Sequence, residues 1–274
     1  MARIALGLGY SGRAYHGWQV QPGLASVQQR VEQALAEFVT QPVGTVCAGR
    51  TDTGVHAQQQ VVHLDSPVER AEFSWVRGVN RYLPPDIRVQ WARAVPDGFH
   101  ARNSAVRRRY RYVLFEGPVA PATAHGQVGW VFTPLATPLQ IDVMREAAAL
   151  LRGQHDFSAF RAAECQALSP VKHLHRLDIV QRGAWWLFTF EADAFLHHMV
   201  RNLMGSLLAV GLGRRSVPAL AALLASRDRT RGDPTFMPAG LYLDGVAYPA
   251  HYGLDALSWQ PRDTFWWAAS SDTP

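Results

Sequence analysis

From Arg3 to Leu8 apolar and polar positions alternate loosely, the spacing of a first strand, and the polar, glycine-containing segment YSGRAYHGWQVQPG then reads as a loop. Ser26 stands three residues before Gln29, a capping-box start, and Val27, Val31, Leu35 and Phe38 put an apolar stripe on the helix that follows. Strands are expected at Val43–Ala48, Gln60–Leu64 and Ile87–Val95, with a helix over Glu69–Tyr82 that Pro84 and Pro85 end. Arg107–Phe115 reads as a long strand. Further on come a helix at Gln140–Leu151, strands at Leu174–Val180 and Trp185–Phe190, a helix at Leu196–Leu212, a short helix at Pro218–Ala225 and a last strand at Leu241–Val246. Gly117–Gln127 has the most linker-like composition of the chain.

Composition narrows the class without changing this pattern. The 274 residues, 48% hydrophobic and 18% charged, suit a soluble globular protein with a sizeable core. No apolar run is long enough to span a bilayer, and MARIALGLGYSG lacks the layout of a signal peptide. Cys47 and Cys165 lie far apart, so a disulfide framework is not expected and a reducing cytoplasm is the expected home; Cys47 reads as a buried, inert thiol. The net charge of +5 leans toward a polyanionic partner. Lys172 is the only lysine, and arginines cluster in FHARNSAVRRRYRY, where Arg102, Arg107, Arg108, Arg109 and Arg111 alternate with Tyr110 and Tyr112.

Three residues carry candidate chemistry. Asp52 sits in GRTDTGVHA with glycines on either side, so a sharp turn can hold one acid at its tip. Arg50 and the flanking Thr51 and Thr53 favour its ionised form, which suits a nucleophile better than a proton donor. Arg201 lies inside the apolar helix LHHMVRNLMGSLLAVGL. A guanidinium there needs a carboxylate, such as Asp52 across a cleft, or else snorkels to water. Gly205, one turn on, leaves room for another backbone or a ligand. Tyr110 alternates with its arginine neighbours on a strand, so its ring either stacks on a nucleobase or belongs to the core. His197 and His198 are adjacent and expected to diverge around the helix, and no His or Cys spacing matches a zinc site. Dinucleotide and phosphate-loop fingerprints and a serine elbow are absent, so no cofactor and no metal are expected.

Together the segments YSGRAYHGWQ, SVQQRVEQAL, AGRTDTGVHA, GVNRYLPPDI, FHARNSAVRRRYRY, HDFSAF, AFLHHMVRNLMGSLLAVG and PAGLYLDGVAYP resemble the TruA-type tRNA pseudouridine synthases, in that family's order and over nearly the whole chain to Pro249. The resemblance implies an α+β pseudouridine-synthase fold: two mixed domains with largely antiparallel sheets flanking a central cleft. Residues 1–105 would carry the aspartate loop, 106–249 the tyrosine and the buried arginine, and 250–274 a tail packed on the second domain. It implies a cytoplasmic, homodimeric isomerase that converts uridine to pseudouridine at positions 38, 39 and 40 of the tRNA anticodon stem-loop. Carried over by position, Asp52 is the nucleophile, Arg201 its charge partner, and Tyr110 packs on the target base. Arg50 helps hold the flipped nucleotide, Leu241 is an apolar wall, and Arg107, Arg108, Arg109 and Arg111 are the candidates for RNA-backbone contact. Ser11, Asn103 and PTFMPAG depart from the family pattern, which bears on substrate breadth.

Overall fold

The apolar alternation builds one largely antiparallel sheet. The computed structural model describes residues 2–260. Its ten strands are β1 (Ala2–Tyr10), β2 (Val46–Cys47), β3 (His56–Ser66), β4 (Ile87–Val95), β5 (Arg107–Glu116), β6 (Gly129–Val131), β7 (Gly153–Asp156), β8 (Val171–Arg182), β9 (Trp185–Ala192) and β10 (Leu241–Ala247). The main path runs β4-β1-β3-β10-β5-β9-β8-β7, with β2 beside β3 and β6 beside β5. Only β3–β10 and β5–β6 pair in parallel. The last strand is therefore the seam: β10 bonds β3 of the first half on one side and β5 of the second half on the other, so the sheet is continuous across residues 105 and 106.

Helices cover the sheet in two groups. In the first half α1 (Val27–Val39) packs on α2 (Glu72–Asn80), which lies on β4. In the second half α3 (Ile141–Leu151), α4 (Met199–Gly211) and α5 (Val217–Ser226) pack together, with α3 on β8. The Ser26 hydroxyl caps α1 by accepting from the Gln29 N–H at 3.3 Å. Burying Trp75, Trp186, Phe188, Phe190 and the inward faces of α1 and α4 removes large apolar area from water, the main stabilising term.

Two differences from the sequence expectation have local causes. The strand expected from Val43 shrinks to Val46–Cys47, because the Thr45 N–H and hydroxyl both donate to Glu32 Oε1 on α1 instead of joining the ladder. The helix expected from Leu196 begins at Met199, because His198 takes a left-handed conformation with φ of 60°. The segment 117–127 folds back over the sheet, where Ala124 meets Val113, Val128 and Tyr242, and the Tyr242 hydroxyl donates to the Gln127 carbonyl. The beginning of the tail also packs: a short helix, Asp255–Ser258, lies on β10, the Trp259 carbonyl accepts from Arg109, and the Gln260 carbonyl accepts from Gln59 of β3. These contacts involve β3 of the first half as well as β5 and β10, and the tail from residue 261, with Trp266 and Trp267, falls outside the described residues.

Candidate active site

The loop between β2 and β3 holds Asp52 by its backbone. The Thr51 carbonyl accepts from the Trp18 N–H at 3.0 Å, the Asp52 carbonyl from Val55 N–H at 3.1 Å, and the Thr51 and Tyr10 hydroxyls bond at 2.8 Å. Gln60 of β3 donates to the Gly49 carbonyl at 2.6 Å. The first loop of the chain lies directly on this turn. Gly17, with φ of 83°, has room for no Cβ, since one would meet the Thr51 carbonyl oxygen at 2.7 Å. A loop fixed at this many points keeps its carboxylate in place before any substrate arrives.

Arg201 comes from the other half. Its Nη1 lies 3.1 Å from Asp52 Oδ2 and its Nε donates to the Phe236 carbonyl at 2.8 Å, while its own carbonyl accepts from the Phe236 N–H. Of the two environments the sequence allowed for this arginine, the structure shows the carboxylate. The close approach at Gly205 is to backbone: a Cβ there would fall 2.2 Å from the Pro234 carbonyl oxygen. PTFMPAG thus runs along α4, and Asn202 adds bonds to the Phe160 carbonyl of HDFSAF and from the Thr235 hydroxyl.

The adjacent histidines do not diverge. His197 Nε2 lies 3.4 Å from Asp52 Oδ1 and His198 Nε2 3.5 Å from Oδ2. The helical spacing used for the expectation does not apply, because both residues precede the first turn of α4 and His198 has a positive φ. Burial alone would raise the Asp52 pKa, but His197, His198 and Arg201 together hold it below the ordinary carboxylate value. In turn the Asp52 contact raises His197 above its ordinary value, while burial lowers His198. Ligand atoms of Asp52, His197 and His198 lie within 4.8 Å of one another, within reach of a single cation. The Arg201 guanidinium already sits on that carboxylate, and its charge opposes a metal there.

A cleft of about 770 Å3 opens over Asp52, a size typical of small-ligand sites. Tyr110, Leu241, Arg50, Arg102, Arg108 and Phe195 line it. Tyr110 is 8% exposed and meets Phe195 edge to face at 5.1 Å, with its hydroxyl over Gly49. Burial, followed by the Asp52 charge, raises its pKa and keeps the phenol neutral.

The cluster expected to touch RNA divides by strand face. Arg109 and Arg111 point away from the cleft and are committed to Asp244 of β10: their Nε atoms lie 2.6 and 3.2 Å from Oδ2, and Arg109 also stacks on Trp259. That corrects the expectation for these two. Arg108 lines the cleft but donates to the carbonyls of Ala48, Arg102, Ala105 and Asp193, so it ties loops together. Arg107 is exposed, as are Arg50 and Arg102 at the cleft. Cys47 is buried and burial pushes its thiol up; Cys165 lines the cleft. Sequence reasoning missed the two histidine contacts, for which the HH pair was the only signal, and the anchoring role of Phe236, which left none.

A family profile described as tRNA pseudouridine synthase matches residues 147–249. The chain is 63% identical over 264 residues to a tRNA pseudouridine synthase A of Methylibium petroleiphilum, covering 94% of this chain and 100% of that one. It is 59% identical to the protein of the same name from Bordetella parapertussis (94% of each chain) and 55% identical to that from Burkholderia multivorans (92% of each). Among the described residues no helix is long and apolar enough to cross a membrane.

Proposed function

The chain belongs to the tRNA pseudouridine synthase A family, and from that premise we propose that it isomerises uridine to pseudouridine at positions 38, 39 and 40 of the tRNA anticodon stem-loop, with Asp52 as nucleophile. The observation that carries the reading is one ionised carboxylate, fixed at the floor of a cleft, paired with Arg201 and lying beside a buried tyrosine. The target nucleotide must leave the stack to reach it, so the cleft takes a flipped base. Tyr110 packs against that base and Leu241 closes the apolar side of the pocket. Arg50 holds the nucleotide, and Arg50, Arg102 and Arg107 supply phosphate contacts whose strength falls with salt.

Asp52 bonds covalently to the nucleotide as the N1–C1′ bond breaks, and this bond to Asp52 breaks again as product forms, returning the free carboxylate. Uracil rotates and returns through carbon 5; a C5–C1′ bond forms, the proton on carbon 5 leaves to solvent and N1 ends protonated. The exchange is redox-neutral, so it calls for no redox cofactor. Arg201 contributes by keeping Asp52 charged, and the neutral Tyr110 phenol by packing without competing for Arg201. The enzyme acts in the cytoplasm as a homodimer with one tRNA across both subunits. Purified protein incubated with uracil-5-tritiated tRNA releases tritium to water, with pseudouridine mapped to positions 38–40. Salt-sensitive binding without release would instead make it an RNA-binding protein.

A further inference from the structure

The two oxygens of Asp52 have unequal partners. Oδ2 faces Arg201 at 3.1 Å and His198 at 3.5 Å, whereas Oδ1 faces His197 at 3.4 Å. The partners of Oδ2 are less exposed. Arg201 is tied to Phe236 and its side chain is 15% exposed, and the His198 side chain is 29% exposed. His197 differs. Its backbone is anchored, with the N–H on Cys165 Sγ at 3.3 Å and the carbonyl accepting from Ala162 N–H at 3.1 Å. Its side chain is 41% exposed, with an ion pair to Asp52 and a ring contact to the neighbouring His198 at 4.0 Å between centroids. An anchored backbone with an exposed ring leaves the imidazole able to swing about χ1 without disturbing the fold.

We propose that His197 is a positioning residue that caps Asp52 Oδ1, the oxygen that reacts, and that protonation of His197 tightens the cap and switches the site off. The proposal rests on Asp52 being the nucleophile. An imidazolium on Oδ1 lowers the carboxylate's reactivity and stands where the nucleotide must approach; a neutral ring yields the oxygen readily. The groups facing His197 are Asp52 from the catalytic loop, Glu164 and Cys165 from the loop between β7 and β8, and His198 and Arg201 from its own stretch of chain. The two carboxylates favour the charged ring, so it titrates above 6.5, its ordinary value, while burial keeps His198 neutral over the same range. The sign follows: below the His197 titration the cap is charged and closed, and above it the cap opens.

The test is the pH dependence of kcat/KM for tritium release by wild type, H197N and H198N, since that profile reports groups of the free enzyme. Wild type and H198N show an acid limb that H197N lacks, so the ratio of H197N to wild-type activity climbs about ten-fold for each pH unit below the titration. NMR titration of the His197 ring, which needs no turnover, gives a value above 6.5 in wild type that falls back in D52N. An acid limb retained in H197N, or a His197 ring that titrates at or below its ordinary value, overturns the cap. Wild type that releases no tritium at any pH overturns the reaction itself, and this role with it.

Discussion

Among the arginine–aspartate pairs that join sequence-distant segments, Arg109–Asp244 and Arg201–Asp52 differ most usefully in what surrounds them. Arg109 and Asp244 are 5% and 1% exposed at the side chain, with Arg111 on the same carboxylate and Glu191 3.7 Å from Arg109. Arg201 and Asp52 are 15% and 18% exposed and open into the cleft. The first pair gathers both arginines on Oδ2 of an acid buried on the closed face of the sheet, whose Oδ1 has no hydrogen-bond partner among the described residues, and it locks β10 to β5. The second leaves one carboxylate oxygen with a single, partly exposed histidine. Similar chemistry serves as a lock where solvent is excluded and as a poised nucleophile where it is not.

The comparison breaks most sharply at Asp244. Replacing it with Asn leaves Arg109 and Arg111 buried without their shared carboxylate, so urea unfolding should show a loss of about 3–5 kcal/mol, as for other half-broken buried pairs. Stability within error of wild type would mean that the pair is no lock. At the other site Arg201→Lys keeps a charge but not the planar fork that reaches both Asp52 and Phe236. Turnover should fall about 10- to 100-fold, equal to about 1.4–2.7 kcal/mol of barrier, with tRNA affinity little changed. A loss confined to KM would place Arg201 in binding instead.

Gly205→Ala sharpens the link between the helix and its loop. The new methyl meets the Pro234 carbonyl, which must give way, so the change should cost about 1–3 kcal/mol of stability. Because the shifted loop also carries Phe236, turnover should fall alongside; stability loss without any kinetic effect would uncouple the loop from Arg201. The last effect is one of pH, remote from either pair. His63 is 6% exposed, accepts from the Ala101 N–H, and is pushed down to about 4 by burial and by His100. Between its unfolded value of 6.5 and about 4 the unfolded chain holds the extra proton, so stability rises with pH across that window and falls on acidification. His63→Gln, which can still accept from Ala101, should flatten that slope in thermal melts; an unchanged slope assigns it to other groups.

What could be read from the sequence follows the range of the interactions involved. Period-2 and period-3.6 apolar patterns are local, so the strands at 87–95 and 107–115 and the helices α1, α3 and α5 stood out, as did the Ser26 cap. Asp52 was legible because a lone acid in a glycine-flanked turn is unusual, and Arg201 because a cation in an apolar helix needs a partner. The seam was not legible: β10 owes its place to pairing with β3 and β5, more than 100 residues earlier in the chain. Spacing puts Arg107, Arg109 and Arg111 on one face of β5, but it could not show that Arg109 and Arg111 are claimed by Asp244, which comes from that same seam. The histidine contacts depended on one positive φ at His198, which no residue pattern announces for a non-glycine position.

The central claim is that the Asp52 carboxylate is the nucleophile and not a structural anion. Asp52→Asn removes the charge and keeps the shape. Tritium release from uracil-5-tritiated tRNA by this variant should fall at least about 10,000-fold, the scale for losing a nucleophile. The same protein should bind tRNA with near wild-type affinity and unfold within about 1 kcal/mol of wild type, because the pair it loses is partly solvated. Turnover at a rate near wild type would contradict the account.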